Sequence, residues 1–142
     1  ESSQKVLVFV PFKHVIGILR DRLTADGVTN EVISGDVSAN KRSQIFDMFQ
    51  KKPDPRVLII QPQAAAHGVT LTAANTVVWW GPVPSLEIYA QANARVHRSG
   101  QRHPSTVVQL QGSAAERHVY SLLDNKIDVH SKIVDLYKDL LL

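Results

Sequence analysis

The sequence predicts an α/β fold: one domain with a mostly parallel central sheet flanked by helices. Three observations carry this. KVLVFV (5–10), RVLII (56–60) and TVVWW (76–80) are short continuous apolar runs, as expected of strands buried on both faces. Segments of helical period separate most of the strand-like runs, so strand and helix alternate over about the first hundred residues, the pattern of βαβ crossovers. The chain of 142 residues is 44% apolar, enough for one domain with a real core, and residues 1–142 are read as a single domain.

The elements follow in order. KVLVFV is the first strand, ended by Pro11 and Phe12. From 13 to about 26, Ile16, Leu19 and Leu23 recur at helical spacing, and Gly27 closes the segment. EVIS (31–34) is a second strand, followed by Gly35. Ser38 is an N-cap for a helix through Gln50, with Ile45, Phe46 and Phe49 toward the core. KKPDP (51–55) breaks the chain before the third strand. QPQAAAHG (61–68) reads as a loop, TVVWW as the fourth strand, and GPVP (81–84) as a turn. Ser85 caps the next helix, with Glu87 in its first turn where the helix dipole favours it. STVVQL (105–110) is a fifth strand. Two helices, about 114–125 and 128–141, form a C-terminal extension over 113–142. The loops after strands one to four share one edge of such a sheet, where ligands bind.

Composition narrows the chemistry. A net charge of +3 permits a polyanionic partner without requiring one. Cysteine is absent, which removes disulfides, thiolate nucleophiles and thiolate metal ligands and suits a reducing cytoplasm. No apolar run approaches the ~20 residues that span a bilayer, and no secretory signal opens the chain. Starting at Glu1 ahead of a strand, the chain reads as a fragment or cleaved piece. No G-x-x-x-x-G-K-[ST] loop cradles phosphates, no G-x-G-x-x-G follows a strand, and no G-x-S-x-G elbow is present. The six histidines form no H-x-x-x-H pair, so no metal site is expected.

One stretch does carry chemistry. In QANARVHRSGQ (91–101), Gln91, Arg95 and Arg98 have i, i+4, i+7 spacing and project from one helical face, while Leu86, Tyr89 and Val96 face roughly the other way. Gly100 is the helix stop. Guanidinium is always charged and forms forked hydrogen bonds, so two arginines one turn apart suit a phosphate. Aimed at a γ-phosphate they would stabilise a phosphoryl-transfer transition state. Most surface cations have no function, and these two are open to that reading as well. Yet no acidic residue lies between Glu87 and Glu116 to compensate Arg95, Arg98 and Arg102. The pair looks like half of a site.

GVTLTAANTVVWWGPVPSLEIYAQANARVHRSGQ (68–101) resembles motifs V and VI of superfamily-two helicases, and more narrowly the Swi/Snf-like DNA translocases with their Q-A-x-x-R-x-x-R-x-G-Q pattern. The W-W-G-P and S-L-E-I-Y-A-Q-A-N-A-R wording resembles phage and bacterial members. VLVFVPFKHVIGIL is similar to the motif IV strand and helix, and ISGDVSANKRSQIFDMF to a G-x(6)-R-x(6)-F segment through Gly35, Arg42 and Phe49. The resemblance covers about residues 5–110. Thr70 stands at the usual Asn, Gly81 where eukaryotic remodellers have Asp, and QPQAAAH replaces a Ser-Thr-Arg-Ala-Gly-Gly-like run. No remodeller-type insertion separates the motifs.

The resemblance implies a RecA-like domain, the second of two such lobes, with ATP and Mg2+ held mainly by an N-terminal P-loop lobe of the same parent chain. It makes Arg98 the main arginine finger, Arg95 its companion, and Gln91 an organiser of the ATP site. Gly68 would let the backbone approach the nucleotide. Lys13, Gly35 and Arg42 would contact or lie near the backbone of duplex or single-stranded DNA, without reading bases. The expected function is the C-terminal motor lobe of an ATP-dependent DNA helicase or translocase, inactive alone, in the cytoplasm of a bacterial cell or phage-infected host. The alternatives are a non-catalytic nucleic-acid-binding α/β module and a structural domain whose ligand is a protein. Trp79 and Trp80 invite base stacking, but a strand points them to opposite faces, and at least one belongs in the core.

Overall fold

The computed structural model describes residues 5–65, 71–96, 105–128 and 132. Among these the chain runs β1 (Lys5–Phe9), α1 (Lys13–Ala25), β2 (Asn30–Ile33), α2 (Ala39–Lys51), β3 (Val57–Ile60), a 3-10 turn (Pro62–Ala65), β4 (Ala74–Trp79), α3 (Leu86–Asn93), β5 (Thr106–Gln109) and α4 (Ala114–Asp124). The strands form a parallel sheet in the order β2-β3-β1-β4-β5. This is the expected RecA-like α/β architecture. The second C-terminal helix expected at 128–141 lies outside the described residues, apart from Asp128 and Lys132.

Register sets where the loops emerge. Ile33, Ile60, Phe9, Trp79 and Gln109 are successive partners across the sheet, so all five strands end at one level. Their carboxyl ends make one edge of the fold and their amino ends the other. Right-handed crossovers then divide the helices. Helix α1 travels from β1 outward to β2 and covers one face, burying Ile16 against Val8, Val10, Val57 and Ile59. Helices α2 and α3 travel the opposite way and cover the other face, where Phe46, Phe49, Tyr89 and Ala92 meet Leu7, Phe9, Leu58 and Trp79. Helix α4 adds Tyr120 and Leu123 to that larger core.

Local signals begin three of these helices and close one of them. Ser38 Oγ accepts from the Lys41 amide, Ser85 Oγ from Ile88 and Ser113 Oγ from Glu116, each satisfying a free donor of a first turn. Gly27 has φ +79, and the Gly27 and Val28 amides bond the Thr24 and Leu23 carbonyls, which closes α1 in a left-handed cap that glycine adopts without strain.

Trp79 is fully buried, while its neighbour Trp80 is 39% exposed. Trp79 stacks between Phe9 and Tyr89 with ring centroids 4.7 and 4.9 Å apart, and its Nε1 donates to Asn93 Oδ1 at 2.9 Å. Each aromatic contact adds about 0.5–1.5 kcal/mol beyond area burial. Trp79 thus anchors the end of α3 to the sheet.

Candidate functional site

At the carboxyl edge, three loops from three strands are tied together. Lys13, the first residue of α1, forms a 2.6 Å ion pair with Asp36 in the loop after β2. The Gly35 amide in that loop donates to Gln61 Oε1, just past β3, at 3.0 Å. Arg42, in the first turn of α2, donates from Nη2 to the Val37 carbonyl at 3.2 Å, while its buried Nε has no hydrogen-bond partner among the described residues. Lys13, Gly35 and Arg42, which the family resemblance named together, lie around one loop. Asp36 and Gln61, which tie that loop in place, gave no signal beyond being polar.

The arginine segment lies elsewhere. Helix α3 starts at the carboxyl edge and runs back, so the turn at 94–96 sits at the amino edge, and the Leu71 amide just before β4 donates to the Arg95 carbonyl at 2.9 Å. The loops after strands one to four do share an edge, as expected, but the arginine turn is at the other one.

The helix itself needs correction. It was expected to continue to Gly100, and its last helical residue is Asn93. The Arg95 and Val96 amides bond the Ala92 and Asn93 carbonyls at 3.2 Å, a tightened three-residue turn that leaves Val96 fully buried. The same tightening draws Arg95 in. It is only 6% exposed, and its Nε donates to the Gln91 carbonyl at 2.8 Å. Gln91 Nε2 in turn donates to Glu87 Oε1 at 3.2 Å. The Arg95 side chain thus bonds the Gln91 backbone and is buried, where the sequence had both side chains projecting from one polar face; Arg98 and Gly68 lie outside the described residues.

A cleft of about 570 Å³ between α3, β5 and α4 is lined by Leu86, Tyr89, Gln109, Leu123 and Asp124, among others. Its polar groups satisfy one another: Tyr89 Oη donates to Asp124 at 3.1 Å and Gln109 Nε2 to Tyr89 Oη at 2.7 Å. Burial pushes the Tyr89 phenol up from its ordinary value. Nothing in this cleft calls for a ligand. Among the described residues no three His, Cys, Asp or Glu side chains gather to hold a metal ion.

Residues 1–100 match the family described as the helicase conserved C-terminal domain. The chain belongs to that family. It is 32% identical over 129 residues to the bifunctional helicase and thymine dioxygenase JBP2 of Leishmania tarentolae, covering 88% of this chain and 11% of that protein. It is 35% identical over 108 residues to the DNA repair protein rad8 of Schizosaccharomyces pombe, covering 76% and 10%. With the Drosophila melanogaster SWI/SNF-related matrix-associated actin-dependent regulator of chromatin subfamily A-like protein 1 it shares 30% over 138 residues, covering 94% and 18%. The chain thus spans between a tenth and a fifth of these relatives. Its fold is similar to the C-terminal part of the Fun30 ATPase domain, with a TM-score of 0.77 and 26% identity over 84% of this chain and 39% of that one. In this helicase C-terminal domain Lys13, Gly35 and Arg42 stand at the carboxyl edge of the sheet and the turn carrying Arg95 at the amino edge.

Proposed function

We propose that this domain is the C-terminal motor lobe of an ATP-dependent DNA helicase or translocase. It supplies arginine fingers and DNA-backbone contacts to an ATP site completed by an N-terminal P-loop lobe of the same parent chain. The observation that carries the reading is the separation, within one helicase C-terminal domain, of a basic loop cluster from an arginine turn. A motor lobe needs two such faces, one for the track and one for the fuel.

In this reading Arg98 is the main finger and Arg95 its companion, fixed by the Gln91 carbonyl. Guanidinium groups stabilise the charge that develops on the transferred phosphoryl oxygens. Gln91 organises the ATP site, and Gly68 lets the backbone approach the nucleotide. Mg2+ is held mainly by the N-terminal lobe. Lys13, Gly35 and Arg42 track phosphates of duplex or single-stranded DNA. Lys13 exchanges Asp36 for a phosphate, a small cost because both partners are about two-thirds exposed. Alone, the lobe turns over no ATP. The W-W-G-P wording supports a phage or bacterial parent in the cytoplasm of a bacterial or phage-infected cell; the relatives named above are eukaryotic.

The test is ATP hydrolysis by the full parent chain, with and without duplex DNA, for wild type and Arg98→Ala. Losing a finger lowers turnover by about three powers of ten. Unchanged turnover sinks the finger assignment. A wild type that binds DNA in a salt-sensitive way but hydrolyses nothing is a passive nucleic-acid-binding module instead.

A further inference from the structure

The two edges need a physical link if both belong to one motor, and α2 runs between them. Arg42 lies in its first turn at the carboxyl edge, and Gln50 lies in its last turn at the amino edge. Eight residues of helix separate them, a rise of about 12 Å.

The far end of α2 is fastened twice. Lys5 Nζ, at the start of β1, donates to the Phe49 and Lys52 carbonyls and stands over the Phe49 ring, 4.7 Å from its centroid. This satisfies carbonyls that a helix end leaves open. The second fastening is Gln50. Its Nε2 donates to Thr72 Oγ1 at 2.8 Å, and its Oε1 accepts the Ala73 amide at 3.0 Å. Both ends of one amide are thus engaged by two consecutive residues of another segment, which fixes position and orientation together.

The segment so held is the turn that enters β4. The Ala74 amide bonds the Leu71 carbonyl at 3.1 Å, and the Leu71 amide bonds the Arg95 carbonyl at 2.9 Å. Leu71 is fully buried. A continuous path therefore runs from Arg42 along α2 to Gln50, across to Thr72 and Ala73, and through Leu71 to Arg95. Gln50 is the joint of this path whose loss should break any coupling along it.

We infer that Gln50 is a positioning residue that transmits DNA engagement at the carboxyl edge to the arginine turn at the amino edge. It touches neither ATP nor DNA and acts by holding the 71–74 turn, and through it Arg95, in register with α2. The inference rests on the motor reading above.

The experiment uses the full parent chain with Gln50→Leu, Gln50→Glu and Thr72→Val. Four quantities are read: turnover without DNA, turnover at saturating duplex DNA, the DNA concentration giving half stimulation, and the thermal midpoint. In Gln50→Leu, turnover without DNA and the half-stimulating DNA concentration stay within about twofold, while DNA-stimulated turnover falls about tenfold. Gln50→Glu restores most of the stimulation, because a carboxylate accepts from both the Ala73 amide and the Thr72 hydroxyl. Thr72→Val removes one of the two bonds, spares the packing, and loses part of the stimulation.

Stimulation that survives Gln50→Leu overturns the inference, as does Gln50→Glu behaving like Gln50→Leu. If both turnovers fall together with the thermal midpoint, Gln50 is only a structural bond and the inference fails. Should Gln50→Leu not fold, Thr72→Val decides: unchanged stimulation overturns it. A wild-type parent chain that hydrolyses no ATP overturns the motor reading, and this inference with it; a DNA-responsive wild type matched by Gln50→Leu overturns this inference alone.

Discussion

At the carboxyl edge Lys13 and Asp36 stand in water and hold one another, with side chains 66% and 71% exposed. At the amino edge the cations are buried and hold backbone: Lys5 and Arg95 are each 6% exposed and donate to main-chain carbonyls. The contrast is physical before it is functional. An exposed pair contributes at most about 1 kcal/mol and gives way to a competing anion. A buried cation bonded to carbonyls is fixed, because freeing it strands both partners. Burial accordingly lowers the Lys5 pKa, against the opposing pull of Asp54. The first edge suits the passing phosphates of a track, and the second suits a geometry that must be the same at every turnover.

The largest effect should erase the comparison altogether. Trp79 ends β4 and packs in the core under α3, stacked on Phe9 of β1 and Tyr89 of α3 and bonded to Asn93. Trp79→Ala should cost about 3–5 kcal/mol of stability, seen as a lowered denaturant midpoint, with both DNA binding and turnover lost together. A smaller change should split the edges. Lys13→Ala with Arg42→Ala should weaken DNA binding by about ten- to a hundredfold and reduce the slope of log affinity against log salt by about 2, while turnover without DNA stays unchanged. Equal loss of turnover would mean that the edges are not separate.

Sharpening comes next. Asp36→Asn releases Lys13 from its ion pair, and DNA affinity at low salt should rise by about two- to fivefold, fading as salt is added. The smallest effect concerns the α3 side alone. Burial raises the phenol pKa of both Tyr89 and Tyr120 above the ordinary 10.0. Groups with raised folded-state values give stability that is complete below about pH 10 and lost as pH climbs through those values. Stability should therefore fall with rising alkalinity above pH 10, and Tyr120→Phe should flatten the fall. A slope identical in the variant would mean Tyr120 takes no part.

Much of this was legible in the sequence, and the reasons are specific. The apolar runs at β1, β3 and β4 named the sheet, Ser38 and Ser85 named two helix starts, and strand alternation put Trp79 and Trp80 on opposite faces with at least one in the core. Those signals are local, and they depend on spacings of one to four residues. What stayed hidden depends on contacts between distant segments. Gly100 looked like the stop of α3, but the last helical residue is Asn93, followed by a tightened turn in which Val96 is fully buried. The opposite placement of Arg42 and Arg95 follows from the path of the chain, not from either motif. Gln50 and Gln61 bond partners 22 to 26 positions away, and a single polar residue carries no periodicity.

The central claim is that one edge of this domain meets the nucleotide and the other meets DNA. The most direct measurement sets Arg98→Ala beside Arg42→Ala in the full parent chain, reading ATP turnover and duplex affinity for both. The prediction is a crossed result: Arg98→Ala loses about three powers of ten in turnover and keeps its DNA affinity, while Arg42→Ala keeps turnover without DNA and binds DNA more weakly. If both variants lose both properties in proportion, or if Arg98→Ala weakens DNA binding alone, the division between the two edges is wrong.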